Sequence, residues 1–258
     1  MRSPTEETVV IPDVYIRKAT VAYKKQIVFS QLDLHLPAGK WVALLGPSGI
    51  GKSTLLRLIA GLLNTQEIQN GEVYTNNHTA LHQQIAYMHQ EDLLLPWLNT
   101  LENVLVGFKL RHASAHTFNE QKNKAMKLLE AVGLGQALYL YPHQLSGGMR
   151  QRAALVRTLM EDKPIVLMDE PFSSLDTITR YKLQNIAAKL LENKTILFVT
   201  HDPAESLRLG HEIYIMQHSP ALKHIVSLSS ATPRELNHAD IIQHQGLLFQ
   251  ALAATGEA

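Results

Sequence analysis

The sequence predicts an α/β fold built on a mixed, mainly parallel sheet. Three observations lead to this prediction. Residues 165–200 alternate strand, helix and strand, which is typical of a parallel sheet with right-handed crossovers. A glycine-rich segment, residues 46–54, joins an apolar strand at 41–45 to a helical run at 55–60. Residues 99–160 change to helical periodicity, which indicates a helical segment inserted between two parts of the sheet.

Short apolar runs and turn residues predict the remaining elements. The predicted strands lie at residues 14–20, 32–36, 72–74, 85–88, 213–216 and 225–228. Pro37-Ala38-Gly39 and Asn70-Gly71 are predicted as turns, and the first third of the chain is predicted to carry one helix. Further helices are predicted from apolar repeats at residues 101–108 and 126–133, and at 148–160, 178–191 and 239–253.

Composition limits the class of protein. The chain has 258 residues with 45% hydrophobic and 18% charged residues, which is ordinary for a globular protein with a large core. A net charge of +1 gives no electrostatic reason to expect nucleic acid as a partner. No cysteine is present, so disulfides and thiolate chemistry are excluded. No stretch approaches the roughly 18 apolar residues of a membrane span, and residues 1–12 lack the apolar centre of a signal peptide.

The glycine-rich segment matches the phosphate-loop pattern G-x-x-x-x-G-K-[ST] in the right strand–loop–helix context. Its glycines allow backbone N–H groups to converge on a phosphate at a helix N-terminus. Lys52 can reach the β- and γ-phosphates, and the Ser53 hydroxyl can ligate Mg²⁺. The sequence therefore predicts a nucleoside triphosphate site, with the loop residues Gly46, Pro47, Ser48, Gly49, Ile50, Gly51, Lys52, Ser53 and Thr54.

Two acidic residues follow the predicted strand at 165–168. Ligands gather at the carboxyl ends of parallel strands, so Asp169 and Glu170 are expected beside the phosphate loop. Asp169 is suited to hold Mg²⁺, and Glu170 is a candidate base or orienting group for the attacking water. Two solvated acids at a strand end are the alternative, which the phosphate loop and Pro171 make the weaker one.

A second informative segment, residues 145–152, reads Leu-Ser-Gly-Gly-Met-Arg-Gln-Arg. Ser146 can cap a helix, and Gly147 and Gly148 leave its first N–H groups open, which makes a second anion site. By itself this segment is more simply an ordinary Ser-capped helix.

Taken together, these segments resemble an ATP-binding-cassette (ABC) ATPase over about residues 14–216. The resemblance rests on the phosphate loop, Gln90, the 145–151 signature, Asp169-Glu170, residues 174–176 and His201, which stand in the order that family has. It implies a P-loop NTPase core with a mixed sheet, an antiparallel β subdomain and an inserted helical subdomain. Residues 1–258 would form one ABC ATPase domain. Its core would span about 14–90 and 163–230, its helical subdomain about 91–162 and its C-terminal helix about 239–254.

The resemblance also implies roles for particular residues. Tyr23 would stack on adenine, although a half-buried strand tyrosine is the simpler alternative. Gln90 would ligate Mg²⁺ or sense the water. His201 would touch the γ-phosphate and, with Glu170 and Lys52, serve hydrolysis. Ser146, Gly147 and Gly148 would contact ATP held by a second copy in a head-to-tail dimer, with Asp176 at that interface.

The segment after Gln90 is strongly apolar and contains Pro96 and Trp97. It is either a core loop or an exposed apolar groove that receives a partner helix. Residues 94–104 resemble importer ATPases of the nitrate, sulfonate, taurine and pyrimidine-precursor group. That resemblance implies membrane permease subunits docking at about 91–104, a substrate-binding protein acting indirectly, and a peripheral position on the cytoplasmic face of the inner membrane.

Three functions are therefore considered. The first is the ATPase subunit of a small-molecule importer, with ATP and Mg²⁺ as ligands. The second is a soluble ABC ATPase of a non-transport process, although no second cassette or coiled-coil insertion is visible. The third is a non-hydrolysing nucleotide-binding scaffold, which the joint presence of Lys52, Glu170 and His201 disfavours.

Overall fold

The computed structural model describes residues 11–24, 26–77, 79–111, 115–218 and 221–255. The first ten residues, which include most of the segment tested for a signal peptide, lie outside these ranges. Within the described ranges, no helix combines the length and the apolar character needed to cross a membrane.

Strands and helices alternate in two parts of the described chain, residues 41–88 and 165–216. The strands are β1 (Val14–Tyr23), β2 (Gln26–Leu36), β3 (Trp41–Leu45), β4 (Ile68–Thr75), β5 (Ile85–Met88), β6 (Ile165–Asp169), β7 (Thr195–Val199), β8 (Glu212–Met216) and β9 (Leu222–Ser227). The helices are α1 (Lys52–Ile59), α2 (Leu81–Gln84), α3 (Thr100–Val104), α4 (Val106–Leu110), α5 (Ala115–Ala131), α6 (Gly147–Met160), α7 (Thr177–Leu190), α8 (Pro203–Leu209) and α9 (Ala239–Ala253).

The larger sheet has the order β5-β6-β7-β3-β8-β9. Its first five strands are parallel, and β9 is antiparallel to β8. Every residue of β3, β6 and β7 is buried, as expected for strands covered on both faces. The predicted mixed, mainly parallel sheet is confirmed, and the carboxyl ends of these strands meet at one edge.

The smaller sheet is antiparallel, in the order β2-β1-β4. Asn70 and Gly71 lie inside β4, so the predicted turn at this dipeptide is wrong. The pairing with β1 shifts register between Arg17 and Thr20, and Gly71 has φ 99° opposite this irregularity. Lys18 and Ala19 of β1 both lie opposite Gly71, so the extra residue of this β-bulge is on β1. β4 continues through Gly71, because glycine tolerates its positive φ.

The chain between β5 and β6 is mainly helical, but the predicted helix over residues 101–108 is divided. α3 and α4 meet at Leu105, whose φ of −92° and ψ of 0° break the helix while its side chain stays buried. Valines on both sides of Leu105, followed by Gly107, lower helix propensity, so packing of the apolar side chains decides the local path. The short α2 also corrects the expectation of a single helix in the first third of the chain.

Two hydrophobic clusters cover the two faces of the larger sheet. One packs the sheet against the helices between β5 and β6, and the other packs it against the smaller sheet and α1. The sheet edge that carries the carboxyl ends of β3, β6 and β7 therefore lies between a β layer and a helical layer. The proposed division of the chain into a core and a helical subdomain stays a prediction.

Candidate nucleotide site

The predicted phosphate loop connects β3 to α1 and needs glycine at two places. Gly46 has φ 144°, and a Cβ there would lie 2.6 Å from the Met216 carbonyl oxygen. Gly51 has φ 114°, and a Cβ there would lie 2.6 Å from Val28. A side chain at either position would be both strained and blocked, so the glycines allow the loop to fold tightly against the sheet.

The N-terminus of α1 is open to an anion. Gly51 caps the helix in a left-handed conformation and supplies no side-chain acceptor, and the first turn contains no acidic residue. The first N–H groups of a helix lack partners within it, and the helix dipole adds positive potential there. This end of α1 can therefore receive a phosphate group.

Lys52 lies folded over the loop that it follows. Its Nζ donates to the carbonyl oxygens of Gly46, at 2.8 Å, and Pro47, at 2.7 Å. Burial lowers the pKa of Lys52, and the nearby charges of Glu170 and Asp169 act in the opposite direction. A phosphate would offer this ammonium a stronger partner than the two neutral carbonyls.

Asp169 ends β6 and is only 2% exposed. Burial raises the pKa of this carboxyl, while a hydrogen bond from the Ser53 side chain lowers it. Oδ2 of Asp169 is buried and has no hydrogen-bond partner among the described residues. An unpaired buried carboxylate oxygen beside a hydroxyl is a donor set suited to Mg²⁺, so Asp169 and Ser53 fit this cation.

Glu170 and His201 follow adjacent parallel strands, β6 and β7. Glu170 Oε2 lies 3.4 Å from His201 Nδ1, and the Glu170 side chain is 19% exposed against 63% for His201. Glu170 has φ 49°, a left-handed conformation that is uncommon outside glycine, and its N–H donates to the Val199 carbonyl. The pair therefore stands at the open edge of the sheet, next to Asp169.

A pocket of about 320 Å³ opens beside the loop and is lined by Tyr23, Gln26 and Val28 together with Gly49, Gly51, Lys52, Ser53 and Thr54. The Tyr23 hydroxyl accepts a long hydrogen bond, 3.5 Å, from Arg57 on α1. The structure thus places Tyr23 at the predicted nucleotide pocket. Ile50 differs from the other loop residues, because its side chain is buried in the hydrophobic core and only its backbone can face a ligand.

The signature segment lies away from this pocket. Ser146 caps α6 by accepting from the Met149 N–H at 3.3 Å, and the helix begins at Gly147, one residue earlier than predicted. Ser146 and Gly147 are exposed. Asp176 is also exposed and caps α7, and the hydrogen bond from the Thr179 N–H lowers its pKa.

Gln90 does not line the phosphate-loop pocket. It lies in a second hollow with Gly147, Gln151 and Ser174 among its neighbours. The structure thus separates the predicted site residues into two groups. One surrounds the phosphate loop and the other surrounds the N-terminus of α6, and the metal role of Gln90 stays a prediction.

The segment after Gln90 is partly exposed and is fixed to α6. Arg150 Nε lies 2.9 Å from Asp92 Oδ2, and Arg157 donates to the backbone carbonyls of Asp92 and Leu93. Leu93 and Trp97 are 54% and 69% exposed, whereas Leu94 is buried. Of residues 92–98, only Leu94 is buried as the core-loop alternative expects.

One residue of the 145–151 signature was given no role of its own by the sequence analysis. The buried carboxamide of Gln151 on α6 donates to the Glu170 carbonyl oxygen at 2.9 Å and accepts from the Ser174 N–H at 3.0 Å. The sequence placed Gln151 one helical turn after Gly147. It did not predict the hydrogen bond to Glu170, which lies 19 residues further along the chain.

Comparison with known proteins agrees with this geometry. The sequence profile of the ABC transporter family matches residues 29–173, more than half of the chain. An uncharacterized ABC transporter ATP-binding protein of Haemophilus influenzae is 41% identical over 243 residues, which cover 93% of this chain and 98% of that protein. The chain belongs to the ABC transporter family, and it is an ABC-type, ATP-binding ATPase.

Two further comparisons bear on the subgroup and the fold. An aliphatic sulfonates import ATP-binding protein of Rhodococcus jostii is 37% identical over 92% of this chain and 91% of its own length. A dimeric ATP-binding cassette, solved in a post-hydrolysis state with ADP and Pi bound, is 29% identical with a TM-score of 0.71. That similarity covers 83% of this chain and 100% of the solved chain. The predicted resemblance and the predicted fold are both confirmed.

Proposed function

We propose that this chain is the ATP-hydrolysing subunit of an importer of small molecules of the nitrate, sulfonate, taurine or pyrimidine-precursor kind. The name of the Rhodococcus jostii protein, an aliphatic sulfonates import ATP-binding protein matched over nearly its full length, supports this proposal. Within the structure, the observation that carries the ATPase assignment is Asp169 Oδ2, a buried, unpaired oxygen beside Ser53.

The phosphate-loop group would bind one ATP. Backbone N–H groups of the loop and Lys52 hold the phosphates, and Tyr23 stacks on adenine. Ser53 and Asp169 would hold Mg²⁺, which would supply positive charge to neutralise the triphosphate. Glu170 would orient the attacking water and accept its proton, and His201 would donate to the γ-phosphate.

The second group would complete the site of another copy. Ser146 and Gly147 are exposed at the N-terminus of α6, and no acidic residue occupies the first turn of this helix. In a head-to-tail dimer this end of α6 contacts the γ-phosphate of ATP on the partner's phosphate loop, and Asp176 lies at the interface. ATP binding closes the dimer and hydrolysis reopens it.

Permease subunits would dock on the segment at about 91–104. Leu93 and Trp97 offer exposed apolar contacts, and Arg157 of α6 donates to the backbone carbonyls of Asp92 and Leu93. Movement of α6 on dimer closure thereby reaches the membrane subunits. On this proposal the protein is peripheral on the cytoplasmic face of the inner membrane and meets the substrate-binding protein only indirectly.

Site-specific cross-linking tests the importer proposal, because the chain has no native cysteine. Trp97→Cys carries a benzophenone maleimide and is irradiated in membranes of its own host, with ATP present. The matched control is Ile242→Cys on α9, since Ile242 is 66% exposed against 69% for Trp97. We expect a multi-spanning membrane protein cross-linked at position 97 and not at 242. Cross-links at position 97 confined to soluble proteins would contradict the proposal.

A further inference from the structure

Gln151 joins α6 to the segment that carries Glu170. Its side chain is only 6% exposed. Nε2 donates to the Glu170 carbonyl oxygen at 2.9 Å, and Oε1 accepts from the Ser174 N–H at 3.0 Å and from the Ser174 hydroxyl. The amide thus uses its hydrogen-bonding capacity on residues 170–174, outside its own helix.

The orientation of this amide follows from its partners. A backbone carbonyl can only accept and a backbone N–H can only donate, so Nε2 must face Glu170 and Oε1 must face Ser174. The flipped amide would place Oε1 against the Glu170 carbonyl oxygen and Nε2 against the Ser174 N–H, so both hydrogen bonds would be lost. Gln151 therefore fixes two backbone points, one on either side of the turn that leaves β6.

The Glu170 backbone needs such support. Its φ of 49° lies in the left-handed region, where a non-glycine residue persists only if its surroundings hold it. Its N–H is held by the Val199 carbonyl, and its carbonyl oxygen accepts from Gln151 and from the Ser173 hydroxyl at 3.1 Å. Because the Cα position and backbone angles aim the side chain, these bonds determine where the carboxylate lies.

We propose that Gln151 is a positioning residue for ATP hydrolysis, holding the Glu170 carboxylate in line with the attacking water. This proposal rests on the proposed role of Glu170. It also assigns Gln151 a coupling function, since Gly147 precedes it by one turn of α6 and Ser174 lies two residues before Asp176. A displacement of α6 by ATP on the partner copy is therefore passed to the chain's own Glu170.

The test compares Gln151→Met with a matched control in the same helix. Methionine keeps the approximate length of the side chain and removes every hydrogen bond to residues 170–174. Thr158→Val is the control, because Thr158 is buried in α6 and its hydroxyl donates to Ala154 within the helix. Steady-state phosphate release gives kcat and KM, and size-exclusion chromatography with ATP follows dimer formation.

We expect Gln151→Met to lower kcat by about 10²-fold, the scale on which a displaced catalytic group slows a reaction. KM for ATP and ATP-dependent dimer formation stay within about twofold of wild type, because ground-state binding is unaffected. Thr158→Val keeps the wild-type kcat. A wild-type kcat in Gln151→Met, a change in KM alone, or an equal loss in Thr158→Val would overturn the proposal.

A second variant covers the case in which Gln151→Met does not fold. Gln151→Glu keeps an acceptor for Ser174 and replaces the N–H donor to Glu170 and Ser173 with an acceptor oxygen. The same kcat loss is expected with ATP binding retained. Wild-type kcat in Gln151→Glu would overturn the proposal. Glu170→Gln is assayed in parallel: if it hydrolyses ATP at the wild-type rate, the role of Glu170 fails, an outcome distinct from failure at Gln151 alone.

Discussion

Glu170 is the side chain on which the proposed chemistry depends. It projects from the end of β6 beside the buried Asp169, and its carboxylate lies 3.4 Å from His201. Asp169 is enclosed and its pKa is raised by burial, which makes a cation its natural partner. Two adjacent carboxylates thus stand in different surroundings, and the more accessible one is placed to act on water.

At the residue scale, Glu170→Gln is predicted to lower kcat for phosphate release by about 10²–10⁴-fold, the usual contribution of a general base. ATP binding remains, because the phosphate loop is untouched, and the ATP-bound dimer accumulates. Phosphate release and chromatography with ATP and Mg²⁺ measure the two effects.

Glu205→Gln is the matched control for this change. Glu205 lies in α8, more deeply buried than Glu170, and burial raises its pKa to about 7. It accepts a hydrogen bond from Gln184 and does not line the phosphate-loop pocket. It is expected to hydrolyse ATP at the wild-type rate. Undiminished hydrolysis by Glu170→Gln, or an equal loss in Glu205→Gln, would contradict the assignment.

At the element scale, the sequence predicted the buried strands well, because β3, β6 and β7 are short, continuous apolar runs. It predicted the phosphate loop because glycine, lysine and serine at fixed spacing are themselves the groups that bind phosphate and Mg²⁺. The bulge of β1 opposite Gly71 was missed, since a glycine with positive φ fits a turn or a continuing strand, and only the pairing with β1 distinguishes them. The role of Gln151 was missed for a related reason, because only the folded chain brings it to Glu170 and Ser174.

Two glycine substitutions test this account of the elements. Gly71→Ala is predicted to destabilise the protein by at least about 2 kcal/mol, because of its φ of 99° and a new Cβ 2.5 Å from the Ala19 Cα. Gly246→Ala, inside α9 with no described atom within 4 Å of the new Cβ, is predicted to stabilise by about 0.5–1 kcal/mol. Urea unfolding measures both, and a stabilising effect at position 71 would show that the bulge tolerates a side chain.

At the scale of the whole molecule, one chain carries two half-sites that do not meet. The phosphate loop, Asp169 and Glu170 lie at the edge of the larger sheet. Ser146 and Gly147 are exposed at the start of α6, where Gly147 lines a different hollow. In the proposed dimer, each complete site takes one half from each copy through a symmetric, reciprocal contact. The internal links through Gln151 and the arginines of α6 then connect nucleotide, partner copy and exposed loop within each chain.

Complementation between two inactive variants tests this central claim most directly. Lys52→Ala disables the phosphate loop and Ser146→Arg blocks the N-terminus of α6, so each variant alone is expected to release almost no phosphate. Mixed in equal amounts, they should recover roughly a quarter of wild-type activity, since half of the random dimers are mixed and each contains one intact site of two. A mixture no more active than its components would contradict a site shared between two copies of the chain.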